Sequence, residues 1–250
     1  MSSPDAQARE RPALLAHRVS LASASGERTM SIHLNRDLEN VQRRVLVLAS
    51  AVEQIVDQSI RALFDRDAML ARTLMESDTP IDMEENVVEE ECLKILALHQ
   101  PVAIDLRRVA AVLKINGDLE RMADLAVNIA ERALALTQGL EVPVPATFRQ
   151  MTDLTITMVR DSLDAFVKFD TAMAKRVCRL DDEVDRYNLE IIEYVTEFMK
   201  ESPSHVEPGL HLFSAARQLE RIADHATNIA EDVVYLVDGK IIRHHPEALR

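Results

Sequence analysis

Thirteen residues, Leu119–Glu131, return almost unchanged at Leu219–Glu231; ten of the thirteen positions are identical at an offset of 100. Each copy carries two carboxylates four residues apart, Glu120 and Asp124 in the first, Glu220 and Asp224 in the second. Asn128 and Glu131, or Asn228 and Glu231, follow them. On a helix advancing about 100° per residue, the four positions of each copy fall within roughly 80°, as a single polar stripe. Like charges at i and i+4 cost about 0.2–0.5 kcal/mol when nothing neutralises them. No lysine lies in the stripe, although Arg121 and Arg221 flank it. A divalent or trivalent cation would turn that repulsion into coordination, through the oxygen ligands that hard metals prefer.

A second set of acids lies upstream of each copy. Asp78 and Asp82 form one i, i+4 pair, and Asp181 and Asp185 repeat it at an offset of 103. With Leu74 as a heptad d position, Asp78 and Glu85 fall at successive a positions, as do Asp181 and Asn188 in the second half. Acids on an inward seam are costly unless a cation or hydrogen bonds meet them. Plainer readings stand beside this one. The apolar centre of the Leu119–Glu131 helix lies about 140° from Glu120, so the stripe is also compatible with a solvated face. Asp78-Thr79-Pro80 also reads as a helix start, with Asp78 or Thr79 as the cap. Recurrence of the same acids at the same places weighs toward a purpose, because a merely solvated face needs no particular residues.

Other chemistry finds little support. The chain has no ExxH pair, no HExxH, no G-x-G-x-x-G and no Walker A segment. His225 sits five residues from Glu220, about 140° round the helix, and so outside the stripe. His99, His205 and His211 fall near predicted helix ends, and His244-His245 near the end of the sequence. Cys92 and Cys178 lie within helical patterns and read as small core residues rather than a disulfide or a CxxC pair. Nothing resembles a catalytic triad, so a non-enzyme is expected.

The elements that must hold these acids are helices. Apolar residues at 34, 38, 41, 45, 48, 52 and 55 alternate in steps of four and three. Leu74, Ile81, Val88 and Ile95 recur every seven, echoed 103 residues on by Val177, Val184, Ile191 and Phe198. Ile115, Leu119, Met122, Ala126, Ile129, Ala133 and Leu136 mark a third helix, which Gly139 and the Val142-Pro143-Val144-Pro145 stretch close. The expected fold is therefore all-α: two tandem three-helix bundles, 31–139 and 147–240, related by internal duplication. Residues 140–146 form the linker, 241–250 a tail, and 1–30, rich in Ser, Ala and Arg, a disordered extension.

Composition agrees. Five glycines and nine prolines in 250 residues, with 47% hydrophobic residues, describe a helical chain; nine Phe and Tyr and no Trp make its core aliphatic. The formal charge of −13 argues against binding nucleic acid or anionic lipid and suits cations or a basic partner. No run reaches the roughly 18 apolar residues of a spanning helix, so membrane insertion is not expected and the cytoplasm is the expected location.

At these residues the sequence resembles the PhoU family, bacterial regulators of phosphate uptake and phosphate signalling. The likeness is carried by Pro101-Val-Ala-Ile-Asp-Leu-Arg107, Lys114–Asp124, Arg217–Glu231 and Val234–Gly239, and spans about residues 31–243. The resemblance implies two tandem three-helix bundles whose E(D)xxxD motifs hold iron or zinc clusters in some members. Those motifs fall here on Asp78 and Asp82 with Glu120 and Asp124, and on Asp181 and Asp185 with Glu220 and Asp224. Pro80, inside the first motif, departs from the pattern and puts that site in doubt. The resemblance further implies a homodimer that represses the phosphate regulon and restrains phosphate uptake. Its implied partners are the ATPase subunit of the phosphate ABC transporter and a membrane sensor histidine kinase. A metal-storage protein using the same acids, or a metal-free adaptor of another transporter such as a sodium–phosphate cotransporter, are the alternatives.

Overall fold

The computed structural model describes residues 4–76, 79–140 and 142–242, with side chains described from residue 32 onward except at Thr79. Asp78 lies outside the described residues. Among the described residues seven α-helices follow one another: α1 (Pro4–Phe64), α2 (Ala68–Met75), α3 (Thr79–His99), α4 (Ala103–Gln138), α5 (Ala146–Lys168), α6 (Thr171–Glu201) and α7 (Val206–Asp238). A 3-10 turn at Pro203–His205 precedes α7, and there is no strand among the described residues. Helices α2 and α3 both pack on α1 and α4, so together they make the middle rod of a three-helix bundle. Helix α6 alone fills that place between α5 and α7. The architecture is all-α, six rods in two bundles. The helical backbone of α1 runs back to Pro4, across the span for which composition suggested disorder.

The duplication reaches into the turns. Arg66, after α1, and Phe169, after α5, both take left-handed backbone with φ of 53°, and they stand 103 residues apart. Each is followed by an aspartate that caps the next helix. Asp67 accepts from the backbone N–H groups of Met69 and Leu70, and Asp170 from those of Ala172 and Met173, at 2.9–3.0 Å. Such a cap satisfies orphan donors of the first turn and is worth about 1 kcal/mol. The middle rods differ at one place. Pro80 stands in the first turn of α3, where its missing N–H costs nothing; Glu183, its counterpart, leaves α6 unbroken.

The seven-residue series point inward, as their period predicts. Leu74, Ile81, Val88 and Ile95 are buried, and so are Val177, Val184, Ile191 and Phe198. In α1 the residues from Leu38 to Ile55 of the four-three series are buried, with Leu34 partly so. Cys92 and Cys178 are free, buried thiols, both pushed up to about 12, chiefly by burial. No described helix is long and apolar enough to cross a membrane.

The two bundles meet mainly through α4 and α7. Asp118 on α4 pairs with His225 at 2.8 Å and accepts from Asn228 at 3.4 Å. Lys114, one turn earlier, pairs with Asp232, one turn later, so the helices run antiparallel. Arg160 of α5 reaches Glu53 of α1 at 2.6 Å as a second link between the bundles. Leu119 and Leu219 are fully buried in equivalent places. Leu119→Ala and Leu219→Ala should each lower stability by about 2–5 kcal/mol, read from urea midpoints. Val47→Ala, at a residue 68% exposed, should move it by no more than about 0.5 kcal/mol.

Candidate functional site

The antiparallel pairing decides where the acids lie. Helices α4 and α7 run antiparallel and bury the same positions over 115–131 and 215–231, so the operation exchanging them approximates a two-fold axis normal to their common plane. Such an axis keeps each side of that plane on the same side. The Glu120/Asp124 and Glu220/Asp224 pairs therefore open on one side of the molecule, each beside the middle rod of its own bundle.

In the second bundle the structure brings Asp181 and Asp185 of α6 into electrostatic contact with Glu220 and Asp224 of α7. Asp181 is half-buried; burial first, then the Asp224 and Asp185 carboxylates, lift it from its ordinary 3.8 to about 6. The Thr227 hydroxyl donates to Asp181 at 3.2 Å and pulls the other way. Burial and Asp224 also raise Glu220, against the guanidinium of Arg217, which donates to its Oε1 at 2.7 Å. The other oxygen, Oε2, is buried without a hydrogen-bond partner.

In the first bundle Asp82 and Glu85 of α3 lie within electrostatic reach of Glu120 on α4. Burial raises Glu120, and the Asp124, Glu85 and Asp82 carboxylates add to it. Burial raises Glu85 as well, with Glu89 and Asp82 contributing. Asn116, one turn before Glu120, donates to the Glu85 carbonyl at 2.9 Å, and its buried Oδ1 has no partner.

As they stand, these side chains do not form a ready cage: among the described residues no three His, Cys, Asp or Glu converge as an ion site. The donor set nevertheless suits an oxygen-preferring metal, and the orphaned Glu220 Oε2 is an atom that a cation would satisfy. Asn228, placed in the stripe by its spacing, turns instead toward Asp118. His225 faces the same junction, outside the stripe as its angle predicts. His99, at the end of α3, pairs with Asp37 of α1 at 3.0 Å. Sequence reasoning missed Arg217 and Thr227. Arg217 was legible as a cation three residues before Glu220, whereas Thr227 acts across helices and left no local signal.

Comparison with known proteins accounts for the duplication. A family model described as the PhoU domain matches residues 45–133 and again 148–233. The chain belongs to the PhoU family. Each match begins in the first helix of a bundle and ends in its last. The phosphate-specific transport system accessory protein PhoU homolog of Pseudomonas putida is 41% identical over 217 residues, 86% of this chain and 84% of that relative. The phosphate-specific transport system accessory protein PhoU of Escherichia coli K12 is 33% identical over 215 residues, 86% of this chain and 89% of that one. The crystal structure of PhoU from Pseudomonas aeruginosa superposes with a TM-score of 0.78 at 38% identity, over 82% of this chain and 99% of that one. The phosphate transport system regulatory protein PhoU from Streptococcus pneumoniae gives 0.76 at 28% identity, over 83% and 98%.

The raised Asp181 has a consequence for this PhoU-family chain. Between about 4 and 6 the folded state binds the proton that the unfolded chain releases, so the Asp181 contribution to stability falls as pH rises through that window. In metal-free protein, Asp181→Asn should raise the urea midpoint at pH 7.5, and the gain should fade at pH 4. A gain of equal size at both pH values would contradict the assignment.

Proposed function

We propose that this chain restrains phosphate uptake and represses phosphate-starvation genes when phosphate is plentiful. It does so as a cytoplasmic, non-catalytic adaptor between the ATPase subunit of a phosphate ABC transporter and a membrane sensor histidine kinase. The observation that carries the reading is that similarity runs through both repeats, at 33–41% identity, to proteins named as accessory to phosphate-specific transport. The acidic surface, with a formal charge of −13, suits partners that offer a basic face. The working unit is a homodimer.

The grooves are proposed to hold metal ions, iron or zinc, on Asp78, Asp82, Glu120 and Asp124 in the first bundle and on Asp181, Asp185, Glu220 and Asp224 in the second. Bound metal would supply positive charge to carboxylates that otherwise repel. The protein's own part is to set α3 beside α4 and α6 beside α7, on the one side where a partner can read both grooves.

Reporter expression from the phosphate-starvation genes, in abundant phosphate, tests the regulatory reading. Deletion should raise it several-fold, and restoring the chain should return it to baseline; expression that stays low in the deletion would sink the proposal. For the metal reading, Glu220→Gln with Asp224→Asn should lower the metal content of untagged protein and partly release repression. Metal-free untagged protein together with normal repression by that variant would remove the metal from the account.

A further inference from the structure

The repeats differ in what covers the groove between their first helix and their middle rod. In the second bundle the chain covers it with its own linker. Residues 142–145 run extended up to α5; Val142 is buried and Val144 packs on the core. The Tyr194 hydroxyl of α6 donates to the Pro143 carbonyl at 2.9 Å, which ties the linker to the middle rod. Tyr187, two turns before Tyr194, also packs on the core. Pro143 and Pro145 have fixed φ angles, so ordering this stretch costs less entropy than ordering a free strand.

The first bundle leaves the corresponding groove open. The family matches begin at 45 and 148, and the left-handed turns after α1 and α5 fall at Arg66 and Phe169, so positions correspond at an offset of 103. Glu84 and Glu91 therefore stand where the second bundle has Tyr187 and Tyr194. Upstream, α1 runs on as helix where the second bundle has its extended linker. Between α1 and α3 lies a cavity of about 760 Å³, with Val41, Leu48 and Ile81 buried along it and Val47 exposed at its edge. On α1 its lining runs from Asn40 to Ala51, about 16 Å of helix, the length of about five residues of extended chain. Most of its charges are already answered. Arg44 pairs with Glu84 at 2.7 Å, and Glu91 with Lys94 at 3.0 Å. Arg43 instead bonds to Asn40 and to the Glu39 carbonyl, not to a carboxylate.

We infer that the α1–α3 groove receives an extended segment of a partner protein, about five residues long, rich in valine and proline and carrying a carboxylate for Arg43. The linker seated on the second bundle is the precedent for that chemistry, since it covers the same groove of the same fold. The inference rests on the adaptor reading above for the existence of a partner, and it involves neither the acidic stripes nor a metal.

The probe is a fluorescein-labelled peptide with the linker's own sequence, Leu140-Glu-Val-Pro-Val-Pro-Ala-Thr147, titrated with full-length protein and followed by fluorescence anisotropy. A Kd on the order of 0.1 mM is expected for so short a segment. Val47→Arg, which sets a charge on the apolar edge, and Ala51→Phe, which fills the groove, each weaken binding by about tenfold. Serine in place of both peptide valines weakens it by about as much. Circular dichroism shows that each variant folds, and Val47, being exposed, keeps the test sound even if Ala51→Phe does not fold. No binding at about 1 mM protein, or binding that neither variant moves, overturns the inference. A smaller sedimenting species for Val47→Arg assigns the groove to a second copy of this chain and overturns it too. In the reporter strain Val47→Arg should release repression at unchanged protein level. Normal repression by Val47→Arg, where deletion does release it, overturns the partner groove and leaves the adaptor reading standing; low expression in the deletion itself defeats both.

Discussion

The antiparallel seam of α4 and α7 has to take in polar groups that neither bundle could bury alone. Asp232 is 4% exposed by side chain and is met by Lys114 from the other repeat. His225, 10% exposed, is met by Asp118. Buried charge is tolerated only when paired and hydrogen-bonded, so parting the repeats would strip these groups of partners. The same seam orients everything else. It turns equivalent faces of two duplicated helices toward each other, and in doing so it sends both acidic stripes to one side.

Those stripes are where the fold accepts an unfavourable arrangement. Each sets i, i+4 carboxylates against further carboxylates on a neighbouring helix, half out of water, and burial together with like charge lifts Asp181, Glu220, Glu120 and Glu85. In the second bundle Thr227 and Arg217 relieve part of that repulsion from within the chain. In the first, Asn116 contacts a backbone carbonyl and leaves its own oxygen unused. A surface chosen only for solubility would place lysines among such acids, and neither stripe contains one.

Much of this was legible before any tertiary contact was known. Four-three and seven-residue spacings report which side of a helix faces inward, and Leu38, Val45, Val184 and Ile191 are buried accordingly. The start of α3 at Thr79-Pro80 follows from proline chemistry alone. The matched turns at Arg66-Asp67 and Phe169-Asp170 were also within reach, since two aspartates stand 103 residues apart ahead of matching helices. The apolar repeat does not mark them, because it begins later at Leu74. The extent of α1 was not legible, because Ser, Ala and Arg suit both a helix and a disordered extension.

What the sequence by itself determined is the count of rods, their duplication, and the helix and turn on which each described carboxylate sits. These depend on periods of three to seven residues, which a helix converts directly into direction. What only the tertiary structure decided is which groups answer those carboxylates and which side they share. Thr227 reaching Asp181, Asn116 reaching Glu85, and Asp118 with Lys114 reaching across to α7 join residues 31 to 118 positions apart. No local period encodes such pairings; they arise when apolar faces are buried together and the polar groups at the seams must find partners or go without.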